Sequence, residues 1–458
     1  MVIKNEELLS FHEKFFQMEK EFNLFSIRTK HEFPLWDIVR YRVAYELLNP
    51  KSITQKQKTS LRKKFLTVLK IFKHLPKVFL PFNENLFFLS ARNFDEIEMQ
   101  FDKNAHNAIN SLDKNHITII ESYNPEGNYK YQDYNFILNI AIVFLTKLTK
   151  KTQINKNDFN KIENAINLTF GANSIKQELF YSEFQDFYRT YRIFDNIFRR
   201  NKNRIKKLFI TQNGILKGIF FAASKNHIKT FEFQHGIIDK THFAYSYSPE
   251  IRYKINDIIC SDNLFTFSKY WNTQFHNPYQ KFIPIGNDSF FNKHIHSGEH
   301  YLTVVSSMIH EEYLASFTKE LALKMTGLQI FYKLHPNQFA NSENIKLFFK
   351  GYKNINIITN EMSVPLLISK SFAILTIVST AVYEALHNGI NVIILKRSNF
   401  LAHESLFKNP NIFLIDKLGD FETIINDKAN NSQIQDDVFF KPFNKELFME
   451  ILEDNSVN

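Results

Sequence analysis

The sequence predicts an α/β protein of two Rossmann-like domains preceded by a helical, basic segment. Three observations carry that prediction. Short apolar runs alternate with helical stretches from Asn85 to Ile285, and strands alternating with helices mark a parallel, doubly wound sheet. The same alternation restarts at Tyr301, after the polar, irregular stretch Asn287–His300. The chain has 458 residues, too many for one ordinary core.

The N-terminal elements read as helices. Phe33–Leu48 has Pro34 near its first turn and stops at Asn49-Pro50. Ser60–Phe82 spaces Leu61, Phe65, Leu66, Leu69, Phe72 and Leu75 three and four apart, which gives one apolar face. The first domain opens with a buried strand at Leu86–Ser90 running into the loop at Ala91, and His116–Glu121 is its second strand. Residues 134–202 read as helical. Within them Phe136–Leu148 is too short to span a membrane and reads as a buried helix. Lys207–Thr211, Lys229–Phe233, Asp257–Cys260, Leu264–Phe267 and Lys281–Ile285 are further strands, with a helix at Gly214–Ser224. The second domain carries strands at Tyr301–Ser306, Gln329–Lys333, Ile355–Ile358, Ala373–Ile377 and Asn391–Leu395, and a helix at Glu311–Met325. The expected organisation is therefore a helical region over 1–82, an acceptor-side domain with a helical insertion over 83–290, and a second domain over 291–458 that ends in a helix.

Composition narrows the chemistry. Cys260 is the single cysteine, so an intramolecular disulfide and a cysteine-based metal site are both excluded, as suits a reducing cytoplasm. Met1–Ser10 is polar and of mixed charge, unlike a secretory signal. The net charge of +10 is concentrated. From Leu47 to Asn83 there is no Asp or Glu, while Lys51, Lys56, Lys58, Arg62, Lys63, Lys64, Lys70, Lys73 and Lys77 are basic. The remainder is close to neutral, which argues against a nucleic-acid groove across the fold. Residues 51–77 are expected either to lie on an anionic membrane surface at the cytoplasmic face or to pack on the domains with solvated lysines.

Three segments place polar residues where a predicted strand ends, the edge at which open α/β sheets bind ligands. Gln234-His235-Gly236 follows Phe233; Gly236 suits a tight turn, and a neutral His235 can accept a proton near pH 7. A turn in which His235 only hydrogen-bonds backbone is the bland alternative. Lys333-Leu334-His335-Pro336 closes a strand of the second domain; lysine and imidazole can meet a phosphate, and Pro336 fixes the chain after them. Ser379 and Thr380 stand where a strand hands over to a helix, with Glu384 inside its first two turns, within reach of a ribose, and Gly389 beyond. Exposed N–H groups there would take an anion, against the plainer reading of an N-cap.

The order and spacing of these motifs resemble the GT-B glycosyltransferases that assemble bacterial capsule and lipopolysaccharide, sialyl- and Kdo-transferases among them. They also resemble the CDP-glycerol glycerophosphotransferases of teichoic acid synthesis. The resemblance covers roughly residues 205–396, including Thr266–Trp271 and Ile285-Gly286-Asn287. It implies that His235, with Gln234, activates the acceptor. It further implies that His335 contacts the donor phosphate and that Ser379 and Thr380 bind phosphate. The acidic motif of the sialyltransferases is absent, with Gln234-His235-Gly236 standing in its place. Ile377-Val378 replace the aspartate and tyrosine that the teichoic enzymes carry before the serine pair.

The expected function is therefore transfer of a sugar from a CMP-, CDP- or UDP-linked donor to a glycan or lipid-linked acceptor. Inversion would follow from in-line attack by one hydroxyl. No cofactor is expected, the nucleotide-sugar being a substrate. The absence of an Asp-x-Asp triplet points to metal independence, and no G-x-G-x-x-G, Walker A or G-x-S-x-G segment occurs. His294, His296 and His300 fall in the polar linker and read as a solvated loop rather than a metal cluster. Transfer of a polyol phosphate is the rival on the same fold; a non-catalytic scaffold of polysaccharide assembly is the rival from another class.

Overall fold

A computed structural model describes residues 5–48, 61–90, 93–94, 99–124, 127–152, 154–172, 174–211, 216–293, 301–306, 311–397, 400–428 and 438–453. Lys51, Lys56, Lys58, Ala91, Gly214 and the histidines 294, 296 and 300 lie outside the described residues. The chain divides into two compact units. The N-terminal unit comprises residues 12–285 and 443–458; the C-terminal unit comprises 286–442 with residues 1–11.

Seven parallel strands build the sheet of the N-terminal unit: β1 (Asn85–Phe88), β2 (Ile117–Glu121), β3 (Asn135–Leu138), β4 (Lys207–Thr211), β5 (Lys229–Phe233), β6 (Asn263–Thr266) and β7 (Lys281–Pro284). Their order is β7-β6-β5-β4-β1-β2-β3, so the winding reverses between β1 and β4. The C-terminal unit repeats the plan in β8 (Tyr301–Val305), β9 (Gln329–Lys333), β10 (Ile355–Ile358), β11 (Ser371–Thr376), β12 (Asn391–Leu395) and β13 (Ile412–Ile415). Its order, β10-β9-β8-β11-β12-β13, is again wholly parallel and reverses between β8 and β11. Both sheets have the doubly wound, Rossmann-like arrangement.

Strands covered on both faces are mostly apolar, and β1, β2, β4 and β12 are buried at every residue. Across the first sheet Phe87, Phe209, Phe231 and Phe265 stack with ring centroids 4.6, 5.0 and 5.3 Å apart. Phe448 lies on that ladder, 6.0 Å from Phe209 and 6.1 Å from Phe265. Its helix, Lys445–Glu453, thus belongs to the core of the N-terminal unit rather than to the second domain that precedes it in sequence.

Residues 12–48 are also integral to this unit, held by buried charge. Glu19 accepts from Trp36 Nε1 at 2.7 Å and from Arg40 Nε at 2.5 Å, and Arg40 donates on to the Phe243 carbonyl. Asp37 takes Lys217 Nζ at 2.6 Å, Tyr247 Oη at 3.0 Å and the Ile259 N–H at 2.8 Å. These contacts explain why Asp257–Cys260 is not the strand its apolar run suggests: its N–H at Ile259 goes to Asp37 instead of a ladder. Asn135–Leu138, expected as helix, pairs in parallel with β2, and its helix starts only at Asn139. No breaker separates the two, so the sequence runs them together. β13 and a small sheet of Asn93–Phe94, Met99–Phe101 and Asn128–Tyr129 complete the strands.

Two glycines are required by geometry. Gly286 has φ +78°, and a Cβ there would fall 2.0 Å from the Pro442 carbonyl oxygen. Gly389, at φ +73°, ends the helix Ala381–His387 in the left-handed conformation.

Candidate functional site

In the C-terminal unit the reversal of strand order falls between β8 and β11, flanked by β9 and β12. The motifs read from the sequence sit on these neighbours. β9 and β11 flank β8, so His335 and Ser379 emerge on either side of the β8 end, two strand spacings or roughly 10 Å apart.

Gln338, which the sequence reading missed, sets the His335-Pro336 turn. Its Oε1 accepts the His335 N–H at 2.7 Å and its Nε2 donates to Ser306 Oγ at 3.1 Å. Ser306 is the residue after β8, and its own N–H donates to the Lys333 carbonyl at 3.0 Å. The turn is therefore tied to the switch point, with His335 half-buried and Pro336 exposed. Lys333 itself is turned away from that role. Its ammonium, 8% exposed, donates to the carbonyls of Thr359 and Met362. Burial lowers its pKa to about 8, with Glu361 raising it in part. It braces the loop after β10.

Ser379 and Thr380 are half-buried after β11, whose Thr376 Oγ1 donates to the Val305 carbonyl at 2.9 Å. The helix that follows has seven residues, and most of its leading N–H groups are engaged. Ser379 N–H donates to His403 Nε2 at 3.3 Å, Ala381 N–H to Ser379 Oγ at 3.2 Å, and Val382 N–H to the Ser379 carbonyl at 3.2 Å. The open anion cradle expected of a helix N-terminus is thus reduced to Thr380, through its N–H and hydroxyl. Glu384 is buried within the same helix, 7% exposed.

A cation missed in the sequence stands at the same edge. Arg397 follows β12, and its guanidinium carbon lies 3.8 Å from the ring centroid of Tyr313, in the helix after β8. Since β11 lies between β8 and β12 in the sheet, this contact spans the end of β11. Burial holds its pKa below the usual value, with Asp416 opposing. The legible signal was a Lys-Arg pair directly after the apolar run that closes β12.

In the N-terminal unit, Gln234 is buried and acts as a bracket. Its N–H donates to the Phe265 carbonyl at 2.9 Å, its Nε2 to the Gly236 carbonyl at 2.9 Å, and its Oε1 accepts the Phe267 N–H at 3.1 Å. It fixes the turn that carries His235, which is half-buried, while Gly236 is buried. The His235 ring lies 6.0 Å from that of Tyr245, whose hydroxyl donates to Glu232 on β5. His242 packs edge-on to Tyr245 at 4.8 Å, and burial lowers its pKa to about 4, which keeps it neutral. Asp239, four residues past His235, is pushed up to about 6 by burial, against the hydrogen bonds from Thr241.

The reversal point of this sheet holds a further cluster absent from the sequence reading. Asp102 Oδ2 accepts from Thr211 Oγ1 at 2.6 Å and from Ser90 N–H at 3.2 Å, and Ser90 N–H also reaches Thr211 Oγ1 at 3.0 Å. Ser90 follows β1 and Thr211 ends β4, so Asp102 stitches the two strands across the switch point. A separate cavity of about 520 Å³ is lined by Lys30, His31, Lys150, Lys151, Tyr188 and Arg192, none of which follows a strand of the sheet.

No protein-family model matches the chain, and no curated protein is significantly similar to it. Solved structures resemble it in fold. The UDP-GlcNAc 2-epimerase of Methanocaldococcus jannaschii superposes with a TM-score of 0.45 at 14% identity, over 80% of this chain and 99% of that one. The Neisseria meningitidis UDP-GlcNAc 2-epimerase, bound to UDP-GlcNAc, gives 0.48 at 12% identity over 81% and 100%. Phytolacca americana UGT2, complexed with UDP-2fluoro-glucose and pterostilbene, gives 0.37 at 9% identity over 73% and 85%. None of these likenesses bears on the substrate of this chain.

Proposed function

We propose that this protein is a metal-independent glycosyltransferase of the GT-B class that takes a nucleotide-activated sugar and extends a bacterial surface glycan. The observation that carries the reading is placement. Both sheets wind in the same order, and the chemically capable side chains gather after the carboxyl ends of their strands, where such sheets bind ligands.

The C-terminal unit takes the nucleotide donor. His335, the Thr380 hydroxyl and N–H, and Arg397 meet its phosphates, and Glu384 serves the ribose. A guanidinium stacked on a tyrosine ring offers oriented donors to phosphate oxygens and is never deprotonated. The N-terminal unit takes the acceptor. His235 accepts the proton of an acceptor hydroxyl as that oxygen bonds to the anomeric carbon. The carbon–phosphate oxygen bond breaks, and its electron pair leaves with the nucleotide, whose developing charge the cation and N–H donors stabilise in place of a metal. Attack opposite the leaving group inverts the anomeric centre.

Titration calorimetry of the full chain with CMP, CDP, UDP and GDP, followed by turnover of the matching sugar donors in EDTA, tests this reading. Selective binding of one nucleotide and EDTA-resistant transfer are expected. Loss of transfer on chelation with recovery by Mg²⁺ would refute metal independence, and binding of no nucleotide would refute the reading as a whole.

A further inference from the structure

Helix Leu61–His74 is mounted with its apolar face outward. On an ordinary surface helix the apolar stripe faces the core and the polar residues face water. Here Phe65, Val68, Leu69 and Phe72, spaced three, four and seven apart, are 64%, 47%, 49% and 69% exposed. Two polar positions on the opposite side, Thr67 and His74, face the protein. Thr67 Oγ1 pairs with Tyr123 Oη at 2.9 Å, and His74 is buried, its Nδ1 accepting the Leu138 N–H at 3.3 Å. Just beyond the helix, Lys77 Nζ donates inward to the Phe136 carbonyl at 3.1 Å, while Phe79 and Leu80 are 58% and 54% exposed. Exposed apolar side chains thus recur along the segment from Phe65 to Leu80, and clustered exposed apolar surface of this kind marks a docking face.

Charge selects the occupant. At 100° per residue, Arg62 and Lys73 border the apolar stripe on one side and Lys64 on the other, and all three are exposed. The Arg200 guanidinium sits 4.9 Å from the Phe79 ring centroid, adding a cation beside that exposed ring. No acid occurs from Leu47 to Asn83. A second copy of this face would set like charges against each other. A bilayer with anionic head groups accepts both parts: aromatic and aliphatic side chains enter the acyl boundary, and lysine and arginine stay at the phosphates. Among the described residues no helix is long and apolar enough to cross a membrane, so the contact lies in the plane of the interface.

We propose that Leu61–Leu80 is a membrane-docking surface that seats the N-terminal unit on an anionic lipid bilayer. The inference is independent of the catalytic reading, because none of these residues belongs to the candidate site. A glycan-building enzyme and a scaffold would use the surface alike.

The test is co-sedimentation of the full chain with phosphatidylglycerol–phosphatidylcholine vesicles and with phosphatidylcholine vesicles, at low and high salt. Wild type is expected to partition to the anionic vesicles and to be released by salt. Each cation near the surface is worth roughly fivefold in partitioning, so Arg62→Gln/Lys64→Gln/Lys73→Gln should weaken binding about a hundredfold. Phe65→Ser/Phe72→Ser should weaken it at least about tenfold while leaving the circular-dichroism melt unchanged, since both rings already stand in solvent. Wild type remaining in the supernatant with anionic vesicles at low salt would overturn the proposal. So would wild-type binding by the Phe65→Ser/Phe72→Ser variant. A wild-type dimer in analytical ultracentrifugation that the same variant dissolves would assign the face to a second copy instead.

Discussion

Acidification should loosen the Ser379 turn through one buried histidine. His403 is fully buried, and burial lowers its pKa from 6.5 to about 3. Its Nε2 accepts the Ser379 N–H, so the ring is neutral with its proton on Nδ1, and that buried Nδ1–H has no partner among the described residues. A depressed folded-state pKa contributes stability that is whole above the unfolded value of 6.5 and is lost as pH falls toward 3. At about pH 5 the loss from this residue is about 1.5 units at 1.36 kcal/mol each, or about 2 kcal/mol. Protonation also removes the acceptor from Ser379, so the turn should open before the unit unfolds. His403→Leu removes the titration. It also leaves the Ser379 N–H unpaired, a cost of roughly 1–3 kcal/mol that does not depend on pH. The assay is hydrogen exchange of peptides spanning Ser379–His387, read at about pH 7 and about pH 5 after correction for intrinsic rates. Both tryptophans, Trp36 and Trp271, lie in the N-terminal unit, so their fluorescence does not substitute for this measurement. Protection in wild type should drop about thirtyfold between the two pH values and stay flat in His403→Leu. An equal drop in both proteins would refute the assignment.

Other expectations follow from the same contacts. Asp37→Asn or Lys217→Met leaves one buried partner uncompensated and should lower N-terminal unit stability by about 3–5 kcal/mol in urea titrations followed by tryptophan fluorescence; Asp37→Leu/Lys217→Met should recover part of it. His235→Ala should reduce kcat by about 10²–10⁴-fold with donor affinity unchanged in calorimetry. Arg397→Ala should weaken nucleotide binding by about 10–100-fold at constant melting temperature, since charged hydrogen bonds contribute about 1.5–3 kcal/mol. Lys333→Met should do the reverse, lowering the melting temperature with nucleotide affinity nearly unchanged, because its ammonium braces the loop after β10.

The parallel sheets were legible because strands buried on both faces are predominantly apolar, and Val, Ile, Leu and Phe runs such as that within Asn391–Leu395 announce them. β3 was not legible, since the same apolar run continues without a break into a helix; only the free edge of β2 decides where the strand stops. Asp257–Cys260 misled for the opposite reason. It has a strand's composition, but a carboxylate 222 positions earlier in the chain claims the Ile259 N–H. The sites follow the same rule. His235, His335, Ser379 and Thr380 could be placed because local chemistry and a strand end coincide. Gln338, Arg397 and Asp102 could not, because their roles arise from neighbours brought in by strand order. The engagement of Lys333 was invisible too, since its acceptors, Thr359 and Met362, are set by the chain path after β10.

Phe448 closes the phenylalanine ladder of the first sheet, although nearly the whole C-terminal unit is translated between that sheet and the helix that carries it. A ribosome delivers the chain from its N-terminus, so Phe209 and Phe265 remain uncovered while residues 286–442 emerge and fold. The N-terminal unit is then the first to be synthesised and the last to be finished. In the interval its open face offers a holding chaperone an aromatic surface that vanishes on release of the completed chain. Stalling translation before residue 445 should therefore leave a protease-sensitive N-terminal unit beside an already resistant C-terminal one.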